Sequence, residues 1–168
     1  MKCNPGTWTS EESSHLAGLT ILILCVLCGC QSDLSKSDTM SKRVLSVGQC
    51  APDHGTISRY LTKNFKCQIA KADDAAEALA QLKSDRFDLV LVNRKLDIDY
   101  SDGIDVIRQI KADPTIADVP VMLVTNYPDH QEASIAEGAI RGFGKLEYDK
   151  PETRERLAAV LEGANTAQ

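Results

Sequence analysis

The chain has 168 residues, of which 43% are hydrophobic, 26% are charged and 5% are aromatic, and its formal net charge is −5. This length fits one domain of ordinary size with a tail, and the apolar share can fill a core, so disorder is excluded as the overall state. Lysine and arginine number 19 against 24 aspartates and glutamates, which leaves no basic excess for binding nucleic acid. Four of the six cysteines lie in the first thirty residues, so a disulfide scaffold is excluded as well.

Residues 1–39 form an N-terminal extension whose pattern differs from the rest of the chain. Its segment 16–30 carries no charge. This segment is short for a membrane-spanning helix and has the length of the apolar region of a secretory signal. Its end resembles a bacterial lipobox, in which Cys30 would be lipidated. Only one lysine precedes the segment, against two glutamates, which is unlike the positively charged start of a signal peptide.

Met40 offers an alternative start for the protein. The residues that follow it run directly into a predicted strand, as they do at an ordinary protein start. If translation begins there, residues 1–39 are an artefact of the gene boundary, and we expect a cytoplasmic protein. If the extension is made, it would anchor the protein through residues 16–30, and only then do we expect contact with a membrane.

From residue 40 to residue 163 the hydrophobic pattern alternates between strands and helices. Strands are predicted at residues 44–47, 67–70, 88–92, 119–124 and 140–143. Helices are predicted around residues 57–65, from Asp74 with a capping-box glutamate at Glu77, over 104–110, over about 130–137, and over 151–161. Strands that alternate with helices in this way predict an α/β domain at residues 40–163, with a parallel sheet covered on both faces. Residues 164–168 would form a short tail.

The functional site of such a sheet is expected at the carboxyl ends of its strands, because loops from several strands meet at that edge. The residues that directly follow the predicted strands are therefore the candidates. They are Gly48, Gln49, Asn93, Thr125 and Lys145.

Beyond residue 40 nearly the whole chain resembles the receiver domain of bacterial two-component response regulators. Three segments carry the resemblance: the buried strand from Asp88 with its loop to Asp102-Gly103, the strand from Val119 to Thr125, and Gly138-Ala139 leading to Lys145. The resemblance implies a flavodoxin-like (βα)5 fold of three layers with a sheet of order 2-1-3-4-5. It also implies a stand-alone signalling module of the phosphorelay type, which is not an enzyme.

The resemblance further implies a phosphorylation pocket, and several of its residues differ here. Receiver domains place an acidic pair after the first strand to bind Mg²⁺ and an acceptor aspartate at the end of the third strand. Gly48 and Gln49 stand in place of the pair, and Asn93 stands in place of the acceptor, whereas Thr125 and Lys145 match the phosphate-binding residues. An amide is not a carboxylate nucleophile, and neither glycine nor glutamine supplies charge for Mg²⁺. We therefore expect a degenerate pocket, a pseudo-receiver that holds no metal and no cofactor.

Two other interpretations of the site remain open. The loop after the third strand carries Asp97 and Asp99, either of which could serve as the acceptor of an active phospho-switch. Alternatively, Thr125, Lys145 and an open position at Gly48 could bind a small anion or another small ligand.

The preferred interpretation is a protein-interaction module that works independently of phosphorylation. The resemblance implies a histidine kinase or another signalling protein as partner, on the face formed by the fourth helix, fifth strand and fifth helix. Gly142 replaces the aromatic residue that usually precedes the pocket lysine by three, so an aromatic switch is not expected. Lys150 competes with Lys145 for the role of that lysine, and Arg94 and Lys95 are expected to point to solvent.

Overall fold

The computed structural model describes residues 41–163. The predictions for the extension 1–39, including its segment 16–30 and Cys30, and for the tail 164–168 lie outside the described residues. Within the described range, no helix combines the length and the apolar character that crossing a membrane requires.

Strands and helices alternate along the described chain. The strands are β1 (Arg43–Val47), β2 (Gln68–Ala72), β3 (Leu89–Asn93), β4 (Val121–Val124) and β5 (Ile140–Phe143). The helices are α1 (Ala51–Phe65), α2 (Ala75–Ser84), α3 (Gly103–Ala112), α4 (Pro128–Ala136) and α5 (Pro151–Leu161). The five strands form one parallel sheet of order β2-β1-β3-β4-β5, which confirms the predicted flavodoxin-like fold.

Two hydrophobic cores lie on opposite faces of this sheet. Adjacent residues of a strand belong to different cores, as Val44 and Leu45 do, because successive side chains of a strand point to opposite faces. Helices α2 and α3 contribute to the first core, for example through Ile107. Helices α1 and α5 contribute to the second, for example through Leu157. The sheet is therefore the middle of three layers.

The observed element boundaries differ slightly from the predicted ones, for reasons of backbone chemistry. Strand β4 begins at Val121 and not at residue 119, because Pro120 has no N–H to donate to a ladder. The Pro120 carbonyl still accepts a hydrogen bond from the Val90 N–H at 2.9 Å. Helix α4 begins at Pro128, two residues before the predicted start, since proline suits the first turn of a helix.

The predicted cap of α2 is present with one change. The Asp74 carboxylate accepts a hydrogen bond from the Glu77 N–H at 2.8 Å, as a capping box requires. The Glu77 carboxylate, however, accepts from the N–H of Asp73 and not from that of Asp74.

All five strands run the same way, so the loops after them meet at one edge of the sheet, where the candidate residues were expected.

Candidate functional site

A cavity of about 240 Å³ lies at the carboxyl ends of β3 and β4, beside the loop that follows β5. Three of the predicted site residues line it together, namely Asn93, Thr125 and Lys145. Every charged side chain among the lining residues is basic, since Arg94 and Lys95 also contribute. The remaining predicted residues, Gly48, Gln49, Asp97 and Asp99, do not line this cavity.

Asn93 is a structural clamp at the end of β3. Its side chain is buried, and its amide nitrogen donates hydrogen bonds to the Gly48 carbonyl at 3.0 Å and to the Lys95 carbonyl at 2.7 Å. Both partners are acceptors, so the nitrogen of the amide must face them. A carboxylate could not make either bond, because an ionised carboxylate only accepts hydrogen bonds. Asn93 therefore ties the end of β1 to the loop after β3 in a way that aspartate cannot.

Gly48 is closed in by a leucine. Its backbone has a φ of +66°, which favours glycine, and a Cβ there would overlap the Leu96 Cγ and lie 3.0 Å from the Leu96 Cα. Leu96 is completely buried. The predicted open position at Gly48 is therefore wrong, because an apolar side chain already fills the space beside it.

Gln49 is also completely buried at the end of β1, and neither atom of its amide group has a hydrogen-bond partner among the described residues. The Mg²⁺ implied by the resemblance needs several oxygen ligands, preferably carboxylates. This place offers Gly48, the neutral Gln49 and the apolar Leu96 instead, so the residues do not fit the ion. Over residues 41–163, no group of three histidine, cysteine, aspartate or glutamate side chains could hold a metal.

Lys145 forms an ion pair with Asp53, which lies in the first turn of α1. Burial acts to raise the pKa of Asp53, but hydrogen bonds from Lys145 and Cys50 and the charge of Lys145 outweigh it, so the pKa is lowered. The competing Lys150 pairs with Glu147 at 2.7 Å and does not line the cavity. Sequence reasoning missed Asp53, although an acidic residue in the first helical turn after a strand end was an available signal.

The Asp53–Lys145 pair predicts a pH-dependent contribution to stability. Because the pKa of Asp53 is lower in the folded protein than its ordinary value of 3.8, the contribution is present above pH 3.8 and is lost as the pH falls through the folded pKa. Wild type is expected to have a higher free energy of unfolding than the Asp53→Asn variant at pH 6. The difference is expected to shrink as the pH falls below 3.8 and through the folded pKa of Asp53. Urea unfolding at several pH values measures this difference.

A matched control for this prediction is Asp129→Asn. Asp129 also lies in the first turn of a helix, α4, and has no ion-pair partner within 4.0 Å among residues 41–163. Its effect on stability is expected to be smaller at pH 6. Equal effects of the two substitutions at pH 6 would show that the Lys145 pairing contributes nothing.

Arg94 and Lys95, which were expected to point to solvent, are partly exposed and also make contacts within the protein. The Arg94 guanidinium lies 5.1 Å from the centre of the Tyr127 ring, as in a cation–π contact. Lys95 pairs with Asp102 at 3.2 Å. The Thr125 hydroxyl accepts a hydrogen bond from the Tyr127 N–H at 3.2 Å, so its proton remains available to a bound group.

Asp97 and Asp99 are exposed in the loop between β3 and α3. The Asp97 N–H donates to the Gly48 carbonyl at 3.0 Å, which fixes its backbone and leaves its side chain outside the cavity. The Asp99 carboxylate accepts from the Ser101 N–H at 2.9 Å, and hydrogen bonds from Ser101 lower the pKa of Asp99. The structure therefore does not bring these two carboxylates together with Thr125 and Lys145.

A buried network that sequence reasoning missed joins α4, β4, β5 and α5. The side-chain amide of Gln131, from α4, donates to the Leu123 carbonyl at 3.0 Å and accepts from the Gly142 N–H at 3.0 Å. The Gly142 carbonyl accepts from the Arg156 guanidinium, from α5, at 2.9 Å. Pairing between β4 and β5 is irregular here, with Met122 and Val124 paired to residues 140 and 143, so Gln131 replaces the interrupted ladder. No periodicity signals a buried glutamine on α4.

The sequence is similar to proteins of one known family. The family model of the response regulator receiver domain matches residues 52–162. The transcriptional regulatory protein ZraR of Escherichia coli is 34% identical over 115 residues, which are 66% of this chain and 24% of that protein, so the chain spans about a quarter of that relative. The chemotaxis protein CheY of Pseudomonas aeruginosa is 26% identical over 97 residues, which are 57% of this chain and 77% of that protein.

A solved structure shows the same fold. The receiver domain of a sensor histidine kinase from Pseudomonas aeruginosa, which holds a magnesium ion in its active-site cleft, matches with a TM-score of 0.60 at 18% identity. The match covers 73% of this chain and 98% of that one. The family model covers more than half of the chain, and the sheet order agrees with it. The chain therefore belongs to the response regulator receiver domain family.

Proposed function

We propose that this chain is a receiver-type signalling module that works through protein contacts and does not take up a phosphoryl group on an aspartate. Receiver domains are signalling modules and interact with histidine kinases and other signalling proteins. The observation that carries the proposal is the Asn93 amide. It stands at the position of the phosphoryl-accepting aspartate and donates hydrogen bonds to two carbonyl groups. A neutral amide is not the nucleophile that phosphoryl transfer to a protein requires.

The surroundings of Asn93 support the same conclusion. Phosphoryl transfer depends on a metal ion and on fixed cations that stabilise the charge of the transferred group. The space beside Gly48 is filled by Leu96, and the cation of Lys145 is already paired with Asp53. The chain thus supplies its own carboxylate to the lysine, without any modification.

We further propose the face formed by α4, β5 and α5 as the surface for a partner, and we call it the α4–β5–α5 face. Gln131 and Arg156 hold its three elements together through Gly142. A groove of about 530 Å³ lies on this face, lined in part by Arg141, Gly142 and Thr153. Because the network is complete in the unmodified chain, the face is expected to keep one shape whether or not a phosphoryl donor is present.

Incubation with acetyl phosphate and Mg²⁺, followed by intact mass measurement, tests the proposal. We expect the mass of the full chain to stay unchanged. The matched variant, with both Asp97→Asn and Asp99→Asn, is expected to behave identically. A gain of one phosphoryl group by the wild type would overturn the proposal, and loss of that gain in the variant would establish the alternative of an active phospho-switch in this loop.

Hydrogen exchange under the same conditions tests the fixed shape of the α4–β5–α5 face. Peptides that cover residues 121–143 and 151–161 are expected to exchange at the same rate with and without the phosphoryl donor. A change in their exchange would show that the face responds to the pocket, which contradicts a phosphorylation-independent module.

A second candidate function is the binding of a small anion in the 240 Å³ cavity, favoured by its purely basic charged lining. Thr125 and Arg94 would contact the anion, and Lys145 would do so in exchange for its partner Asp53. The Gly48 position, which Leu96 closes, would take no part. The test is titration of the full chain with inorganic phosphate, followed by amide chemical shifts. Saturable shifts at residues 125–127 that the Arg94→Gln variant lacks would establish this function, and unchanged shifts would remove it.

A further inference from the structure

A groove of about 520 Å³, which we call the α1–α5 groove, lies between α1 and the start of α5. It includes neither β5 nor α4, and it adjoins the α4–β5–α5 face, with which it shares Lys150 and Pro151. Two tyrosines, Tyr60 from α1 and Tyr148 from the loop before α5, line it. Their rings pack against each other with centres 5.6 Å apart. Such a volume accommodates several side chains of a partner and exceeds what a single small ion needs.

The charged residues of the α1–α5 groove are mostly basic. Arg59 and Lys63 lie four residues apart on α1 and therefore on one side of that helix, and Arg154 comes from α5. All three are exposed, and none has a carboxylate within 4.0 Å among the described residues. Lys150 adds a fourth positive charge, although it contacts Glu147, and Asp149 is the single acidic residue of the lining. This local excess of positive charge contrasts with the net charge of −5 of the whole chain.

We propose that the α1–α5 groove binds an acidic polypeptide segment of a partner protein. Basic side chains on both walls would contact its carboxylates, and the tyrosine rings would pack against an apolar side chain between them. The negative net charge of the chain disfavours nucleic acid, whose phosphates extend well beyond one groove. A membrane surface is disfavoured because none of the exposed large apolar side chains lines the groove; these are Ile98, Tyr100, Tyr127, Ile140 and Leu146.

The test uses the full chain and a fluorescein-labelled, glutamate-rich peptide that carries one phenylalanine, with binding followed by fluorescence anisotropy. Arg59→Glu and Arg154→Glu, which lie on the two walls, are each expected to weaken binding about fivefold, because an attractive contact becomes repulsive. Binding is also expected to weaken as the salt concentration rises. The matched control is Arg86→Glu, an exposed arginine outside the groove that also lacks a carboxylate within 4.0 Å among residues 41–163, and it should change binding less than about twofold.

Each remaining outcome supports or overturns the proposal. A peptide with glutamine in place of glutamate should not bind. No binding of the acidic peptide, or equal losses in the Arg59→Glu and Arg86→Glu variants, overturns the groove as its site. Tighter binding to oligothymidine or to phosphatidylserine vesicles, with loss in the groove variants, assigns the groove to nucleic acid or to membrane instead. None of these readouts depends on phosphorylation, so the proposal fails or stands separately from the proposed function.

Discussion

Replacing Asn93 by aspartate is expected to lower the free energy of unfolding by about 2–3 kcal/mol at neutral pH. The change keeps the shape of the side chain but removes both hydrogen bonds that its nitrogen donates, to the carbonyls of Gly48 and Lys95. A buried carboxylate would then face two carbonyl oxygens, and Lys145 could not fully compensate because it is already paired with Asp53. Urea unfolding at pH 7 measures the loss.

The same variant is expected to remain unphosphorylated by acetyl phosphate, although it restores a carboxylate at the acceptor position. Leu96 still occupies the space beside Gly48, and no acidic pair is present to bind Mg²⁺. The matched control is Asn126→Asp, which adds the same charge to the lining of the same cavity at an exposed residue. An Asn93→Asp variant as stable as Asn126→Asp would show that the Asn93 clamp contributes nothing to folding.

Much of the fold could be predicted from the sequence because its signals are local. The observed bounds of β5, Ile140–Phe143, and of α5, Pro151–Leu161, coincide with the predicted ranges. A proline at the start of a helix and an apolar run in a strand act within a few residues, so they can be recognised without knowledge of the tertiary structure. The sheet order came from the resemblance to receiver domains, since periodicity alone does not determine which strands pair.

The contents of the site could be predicted only in part, because they depend on contacts between distant segments. Asn93 and Thr125 were recognisable since each directly follows a strand, but the pairing of Asn93 with the Gly48 carbonyl joins residues 45 positions apart. Leu96 follows Asn93 closely in sequence, and nothing local indicates that it fills the space beside Gly48. A glutamine such as Gln131 would ordinarily be placed on the solvent side of a helix.

Gly142 stands in place of the usual aromatic residue, and the backbone of β4 leaves no room for a side chain at this position. A Cβ at this position would overlap the Leu123 carbonyl oxygen and lie 2.9 Å from the Leu123 carbonyl carbon. The φ of Gly142 is not positive, so the constraint is steric. The close contact lies where the pairing between β4 and β5 is irregular, so a side chain at residue 142 would meet the backbone of β4.

Gly142→Ala is accordingly expected to lower the free energy of unfolding by about 3 kcal/mol or more, since backbone atoms of β4 or β5 must move to admit the methyl group. The matched control is Gly55→Ala in α1, where a Cβ would meet nothing within 4 Å. That change is expected to stabilise the protein by about 0.4–1 kcal/mol, because alanine has less conformational freedom in the unfolded chain. Thermal and urea unfolding of both variants measure the contrast, and a Gly142→Ala variant as stable as wild type would mean that β5 can move away from β4 without cost.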